Sequence, residues 1–196
     1  CEVYVATRTR FDKVNKIDGN NHLILLCKNE TGYQNLIKMV SAGFVEGFYS
    51  KPRIDKELLE RYHEGLICLS ACLSGDLPKL LLNEQYQAAR DYIREMQEIF
   101  GKENFFVEIM DHGIRNEKIV LPRLIQIAQE MDVPLVATND CHYLEEKDAD
   151  AQEVLMCIQT GKTLDDENRM RMQTRELYLK APDEMEALFP QWPEAL

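Results

Sequence analysis

Glu2, Cys72, His112, Asp140 and His142 are the residues of this sequence best equipped for chemistry, and each adjoins a short apolar run of strand type. The clearest case is residues 138–144, TNDCHYL, which follow the apolar run VPLVA at 133–137. Asp140 and His142 are two residues apart, and extended backbone points such a pair the same way. A carboxylate beside an imidazole can be a metal pair, an acid–base pair or a plain loop start. The run FFVEIM at 105–110 ends at Asp111-His112-Gly113, and LICLSA at 66–71 ends at Cys72. Glu2 lies in the opening run, aligned with Tyr4. Imidazole, carboxylate and thiolate together suit zinc or a similar divalent ion. Two or more such ions activate water and hold a phosphate ester for hydrolysis.

Plainer readings compete. Cys72 can be a small buried residue, and His112 beside Gly113 can be a turn residue. His22 precedes its apolar run, which in an all-parallel sheet puts it at the mouth opposite the other candidates. His63 reads as solvated in a loop before Gly65. The acidic stretch 145–150 reads as an exposed face, because it lacks the spacing and glycine of a calcium loop.

The elements that would position these residues alternate. Strand-length apolar runs occur at 2–6, 22–27 (HLILLC), 66–71, 105–110 and 133–138. They are rich in Ile, Val, Leu and Phe on both faces, as buried parallel strands are. Helical patterns lie between them. One starts with Thr31 as cap and closes near Gly43, and a short one is capped by Asp55 with Gly65 past its end. A long one spans 84–100 with Gly101 as its stop. Another covers 117–131 and is drawn toward Leu121 by Pro122. A further helix is expected over 150–158, a strand over 175–180 and a short helix over 182–189. Strands alternating with helices predict an α/β fold with a parallel sheet, whose sites gather at the carboxyl ends of the strands.

Composition narrows the function classes. The formal charge is −11 and the pI about 4.9. A broad grip on a nucleic-acid backbone needs clustered Lys and Arg and is not expected. The six cysteines show no dense paired framework, and Cys27, Cys68 and Cys157 lie in apolar runs. Reduced, largely buried thiols and a cytoplasmic location are expected. The sequence opens in strand-like alternation without Met, which reads as a piece excised from a longer protein.

Taken in order, EVYVA, HLILLCKNETGYQNLIKMVS, GLICLSACLSGDLP, FFVEIMDHGI, PLVATNDCHYL and IQTGKTLDDENRMRM resemble consecutive blocks of one family. It is the PHP (polymerase and histidinol phosphatase) domain of the alpha subunit of bacterial DNA polymerase III. The resemblance implies a distorted (β/α)7-type barrel, here truncated with its N-terminal strands missing, and divalent metal ions at its carboxyl mouth. Zinc is the first choice, with manganese or magnesium as alternatives. It implies Glu2, Cys72, His112, Asp140 and His142 as metal ligands and assigns no catalytic residue. The family's H-x-H and Asp-His motifs have no counterpart and would lie before Cys1, so the site is incomplete. The PHP domain is expected over 1–174. Residues 175–196, with ELYLKAPDEMEALFP, resemble the start of the linker to the polymerase region.

The resemblance also implies partners: the rest of a polymerase alpha chain, other replicase subunits, and DNA through the parent protein. The parent would be a DNA-directed DNA polymerase. The domain itself would bind metal and carry 3′–5′ exonuclease or phosphoesterase activity. A stand-alone phosphoesterase of the histidinol phosphatase type and a non-catalytic structural module are the alternatives. Polymerase chemistry needs a carboxylate cluster holding two ions, and that cluster would lie beyond Leu196. The 196-residue chain alone is therefore expected neither to extend a primer nor to degrade single-stranded DNA efficiently. Primer-extension and nuclease assays on it check this, and turnover matching a replicative polymerase would contradict it.

Overall fold

The computed structural model describes residues 1–15 and 17–196. Among the described residues, six strands form one mixed sheet: β1 (Glu2–Ala6), β2 (Asn20–Cys27), β3 (Arg53–Ile54), β4 (Leu66–Leu69), β5 (Phe105–Ile109) and β6 (Leu135–Ala137). Their order across the sheet is β3-β1-β2-β4-β5-β6. The helices are α1 (Glu30–Val45), α2 (Lys56–Tyr62), α3 (Asp76–Leu82), α4 (Tyr86–Phe100), α5 (Arg115–Met131), α6 (Ala149–Thr160) and α7 (Pro182–Leu188). The α/β class expected from the alternation holds.

The all-parallel expectation does not. β2 runs antiparallel to both β1 and β4, while β1–β3, β4–β5 and β5–β6 are parallel. A parallel β1–β2 pair would need a crossover of a dozen or more residues, usually through a helix. Residues 7–19 carry no helical apolar pattern, so a reversal is what they permit. β2 also alternates: Leu23 and Leu25 are buried and Leu26 is 44 % exposed. One face of the sheet packs Val3, Leu23, Leu25, Cys68, Phe105, Val107 and Ile109 into the main core with α1 to α5. The other face, with Ile24, Leu26, Leu69, Met110 and Val136, lines a cavity of about 590 Å³.

Local chemistry explains the helix ends. Asn29, not Thr31, caps α1, because its side chain accepts the Gly32 amide at 3.0 Å. Asp55 caps α2 as expected, accepting from the Leu58 amide. Gly101 stops α4 at φ +84°. The long helix expected from residue 84 begins at Tyr86, and a separate α3 precedes it. Pro122 lies inside α5, within its second turn, so the helix begins at Arg115 rather than near Leu121. Cys27 is exposed at the end of β2, while Cys68 and Cys157 are buried, and all six cysteines are free thiols.

Residues 175–196 pack onto this body. Phe189 is fully buried, and Met185, Leu188 and Trp192 join the same core. The strand expected over 175–180 is reduced to one parallel bridge between Tyr178 and Tyr143. Among the described residues, no helix is long and apolar enough to cross a membrane.

Gly32 and Gly65 set how closely α1 approaches the turn before β4. A Cβ on Gly32 would lie 1.9 Å from the Gly65 carbonyl oxygen, which is backbone and cannot swing away. Gly32→Ala is expected to destabilise the fold by about 1–3 kcal/mol, the usual cost of overpacking. Urea denaturation measures this, and a loss within about 0.5 kcal/mol, the range of neutral surface changes, would contradict it.

Candidate metal centre

The sheet is staggered, so the beginning of β1 is level with the end of β4. Glu2 pairs with Ile24 on β2, and Ile24 pairs with Leu69 on β4. His22 lies opposite Tyr4, which puts it diagonal to Glu2 on the same side of the two strands. Because β2 is reversed, its start reaches the carboxyl mouth of β4 to β6. His22 therefore joins the ligand-type residues, against the opposite-mouth expectation.

The loop after β4 completes the trio. The His22 amide donates to the Ser74 carbonyl at 3.1 Å, and His22 bridges to Gly75. Ala71 has φ +65°, a left-handed conformation that costs a non-glycine residue roughly 1–2 kcal/mol. That turn brings Cys72 back toward His22. Cys72 Sγ lies 3.7 Å and Glu2 Oε2 3.0 Å from the same His22 Nδ1. One ligand atom each from Glu2, His22 and Cys72 falls within 4.8 Å of the others. The His22 ring packs edge-on against Tyr4 with centroids 5.2 Å apart, which fixes its direction.

Asp140, His142 and His112 line the same cavity of about 300 Å³ as the trio. Among the described residues they do not fall within the close cluster. Asp140 has φ +41°, and its carbonyl is 2.6 Å from His142 Nδ1. Neighbouring backbone stitches this loop in place. Asn139 Nδ2 donates to the carbonyls of Glu176 and Tyr178 at 2.9 and 2.6 Å, and the His142 amide donates to Leu177 at 2.8 Å.

His112 is held differently. It is 3 % exposed, its Nδ1 is 2.7 Å from Glu117 Oε1 and its Nε2 is 3.0 Å from the Asn139 carbonyl. Both acceptors require a proton on the nitrogen facing them. As held here, neither ring nitrogen has a free lone pair for a cation. Burial opposes a charge on His112, but the hydrogen bond and charge of Glu117 outweigh it and raise its pKa above 6.5. Burial likewise works against the Glu117 carboxylate, yet His112 lowers its pKa below 4.5.

The remaining acids make the cavity short of positive charge. Burial pushes the Cys72 thiol up to about 11, and the Asp140 and Glu2 charges add to it. Glu108 lines the adjoining cavity of about 590 Å³ and is 4 % exposed; its Oε1 accepts from Thr138 Oγ1 at 2.6 Å, and its Oε2 has no partner among the described residues. Burial raises its pKa too, with Asp140 and Glu2 contributing. A thiol whose ionisation is opposed by the neighbouring Asp140 and Glu2 charges, beside an imidazole, is a donor set that a divalent cation would relieve.

Sequence reasoning missed His22, Glu117 and Arg171 of this cavity lining. The missing helical pattern between β1 and β2 was the signal for His22. Glu117, five residues after His112 in the first turn of α5, had only its sequence distance as a clue.

Comparison with known proteins adds the following. The PHP domain family model matches residues 1–112. The chain is 48 % identical over 196 residues to the DNA polymerase III subunit alpha of Treponema pallidum, covering 99 % of this chain and 17 % of that protein. It is 46 % identical over 199 residues to the protein of the same name from Borreliella burgdorferi, covering 100 % and 17 %. Against that from Thermus aquaticus it is 44 % identical over 193 residues, covering 97 % and 16 %. The chain thus spans about 17 % of the length of the first two curated relatives it matches.

The His112–Glu117 pair has a definite pH signature. A raised histidine pKa gives stability that is full below about pH 6.5 and lost as pH rises through the raised value. A lowered carboxylate pKa gives stability that is full above about pH 4.5 and lost as pH falls through the lowered value. In metal-free protein, the stability difference between the parent and His112→Gln should be largest between about pH 4.5 and 6.5 and shrink by pH 9. Urea titrations at pH 5.5 and 9 check this, and equal differences at both would contradict it.

Proposed function

The chain belongs to the PHP-domain family, and from that membership we propose that it is the metal-binding PHP domain of a bacterial DNA polymerase III alpha subunit. The parent protein then carries out DNA-directed DNA synthesis in the cytoplasm, with its polymerase region following residues 175–196 as a linker. Its partners are the rest of that chain, other replicase subunits, and DNA reached through the parent. The distorted (β/α)7-type barrel of the family belongs to the same reading.

The observation that carries the proposal is the convergence of Glu2, His22 and Cys72 within 4.8 Å at the carboxyl mouth. In this reading the three hold a divalent cation, zinc by the softness of the thiolate and imidazole. Asp140 and His142, which line the same cavity, complete the donor set. His112 joins them only by releasing Glu117 or the Asn139 carbonyl. Otherwise it braces the wall as an ion pair.

Bound at this position, the cation would lower the pKa of a water and polarise a phosphoryl oxygen. The chain's own residues would supply the rest. Glu2 and Asp140 keep the cavity acidic and selective for cations. The buried His112–Glu117 pair and the stitched 139–143 loop hold Asp140 and His142 in one orientation. Phosphoester hydrolysis, including 3′–5′ removal of a terminal nucleotide, is the activity this arrangement suits.

His22 gives the sharpest test. In the full-length protein, His22→Ala should weaken zinc binding by more than the roughly ten- to hundred-fold that loss of an outer partner of a ligand costs. Asp140→Asn should also lower bound metal. Elemental analysis after dialysis against a graded chelator reads both. Parent-level zinc in His22→Ala would overturn the proposed centre.

A further inference from the structure

The cavity that holds Glu2, His22 and Cys72 is lined by three carboxylates, from Glu2, Glu117 and Asp140, and by a single Arg or Lys, Arg171. Arg171 makes no hydrogen bond or ion pair among the described residues. Among the described residues it shares this only with Arg115, which does not line the cavity. Of its eleven arginines, Arg8, Arg10, Arg61, Arg90, Arg94, Arg123, Arg169 and Arg175 pair with carboxylates. The fully buried Arg53 is spent on backbone carbonyls. With a formal charge of −11 there is no shortage of acids to take up another guanidinium.

Its position is nonetheless fixed by its neighbours. Arg169, with a side chain 7 % exposed, binds Glu153 of α6 at 2.7 Å and the Leu164 carbonyl at 3.1 Å. Thr174 Oγ1 donates to the His112 carbonyl at 2.9 Å, tying the segment to the wall of the metal cavity. Arg175 binds Asp150 at 2.6 Å. Between these anchors, Arg171 and Gln173 line the cavity. The segment is thus pinned on both sides and presents one uncommitted guanidinium to the donor cluster.

We propose that Arg171 recognises the phosphoryl group of the substrate, binding non-bridging oxygens while the opposite side of that group faces the cation site. A guanidinium fork matches two phosphate oxygens at once, which an ammonium cannot do. Gln173, neutral and adjacent, is a further donor to the same group. The cavity of about 300 Å³ lies at the small end of the roughly 300–1,000 Å³ of small-ligand sites. It suits one phosphoryl group with its attached sugar, not a duplex. This deepens the reading of the site as a phosphoesterase centre and rests on it.

The test is binding of inorganic phosphate to the zinc-loaded full-length protein by isothermal titration, with zinc content measured on every sample. Arg171→Ala should weaken phosphate binding about ten- to hundred-fold, the scale of losing one or two charge-assisted hydrogen bonds. Arg171→Lys should recover part of it, and zinc content should stay at the parent level in both. Identical isotherms for the parent and Arg171→Ala would overturn the role of Arg171, as would absence of phosphate binding in the parent. Zinc content reads the metal centre separately: a parent without zinc counts against the centre itself, whichever way the isotherms fall.

Discussion

Everything at the candidate centre depends on the reversal of β2. A strand running against both neighbours has its beginning where theirs end. His22, near the start of β2, is thereby brought to the carboxyl mouth, and its amide fastens the Ser74 carbonyl in the loop that carries Cys72. The same strand pairs with β1 in a register that sets Glu2 diagonal to His22. One hydrogen-bonded ladder therefore fixes three donors from three chain segments. A one-residue slip of β2 would turn His22 to the helix-covered face and dissolve the trio.

Around that trio the charges are sorted into two layers. Glu2, Cys72, Asp140 and the buried Glu108 crowd negative or potentially negative groups together, and burial raises the pKa of both Cys72 and Glu108. Behind them, His112 and Glu117 neutralise each other within the wall. The wall pair is satisfied by its own hydrogen bonds, while Glu108, which lines the adjoining cavity of about 590 Å³, has one oxygen without a partner among the described residues. A buried polar network that is fully satisfied rigidifies its surroundings, and an unsatisfied buried acceptor is costly. The left-handed backbone at Ala71 and Asp140 falls at the same mouth, where strain is held by the surrounding pairing.

Much of the framework was legible because local chemistry and tertiary structure agree. Apolar runs marked β2, β4, β5 and β6, Asp55 marked the start of α2, and Gly101 marked the end of α4. The failures have physical causes. Asn29 and Thr31 both satisfy the cap pattern, and only the folded backbone, in which the Gly32 amide donates to Asn29 Oδ1, decides between them. α3 is only seven residues long and carries Pro78, so no helical period stands out after the Cys72 loop. Strand direction is the costliest gap, because an apolar hexamer reads the same in a parallel and an antiparallel sheet. His22 was lost for that reason alone. The D-x-H spacing of Asp140 and His142 was visible in the sequence, but the pairing of His112 with Glu117 depends on how α5 starts after Gly113.

The central claim is that a thiolate and an imidazole brought together by the reversed strand share one cation. X-ray absorption at the zinc edge of the reconstituted full-length protein tests it most directly. One sulfur scatterer at about 2.3 Å together with nitrogen and oxygen at about 2.0–2.2 Å is expected, with loss of the sulfur shell in Cys72→Ser. A first shell of nitrogen and oxygen alone in the parent protein would contradict it.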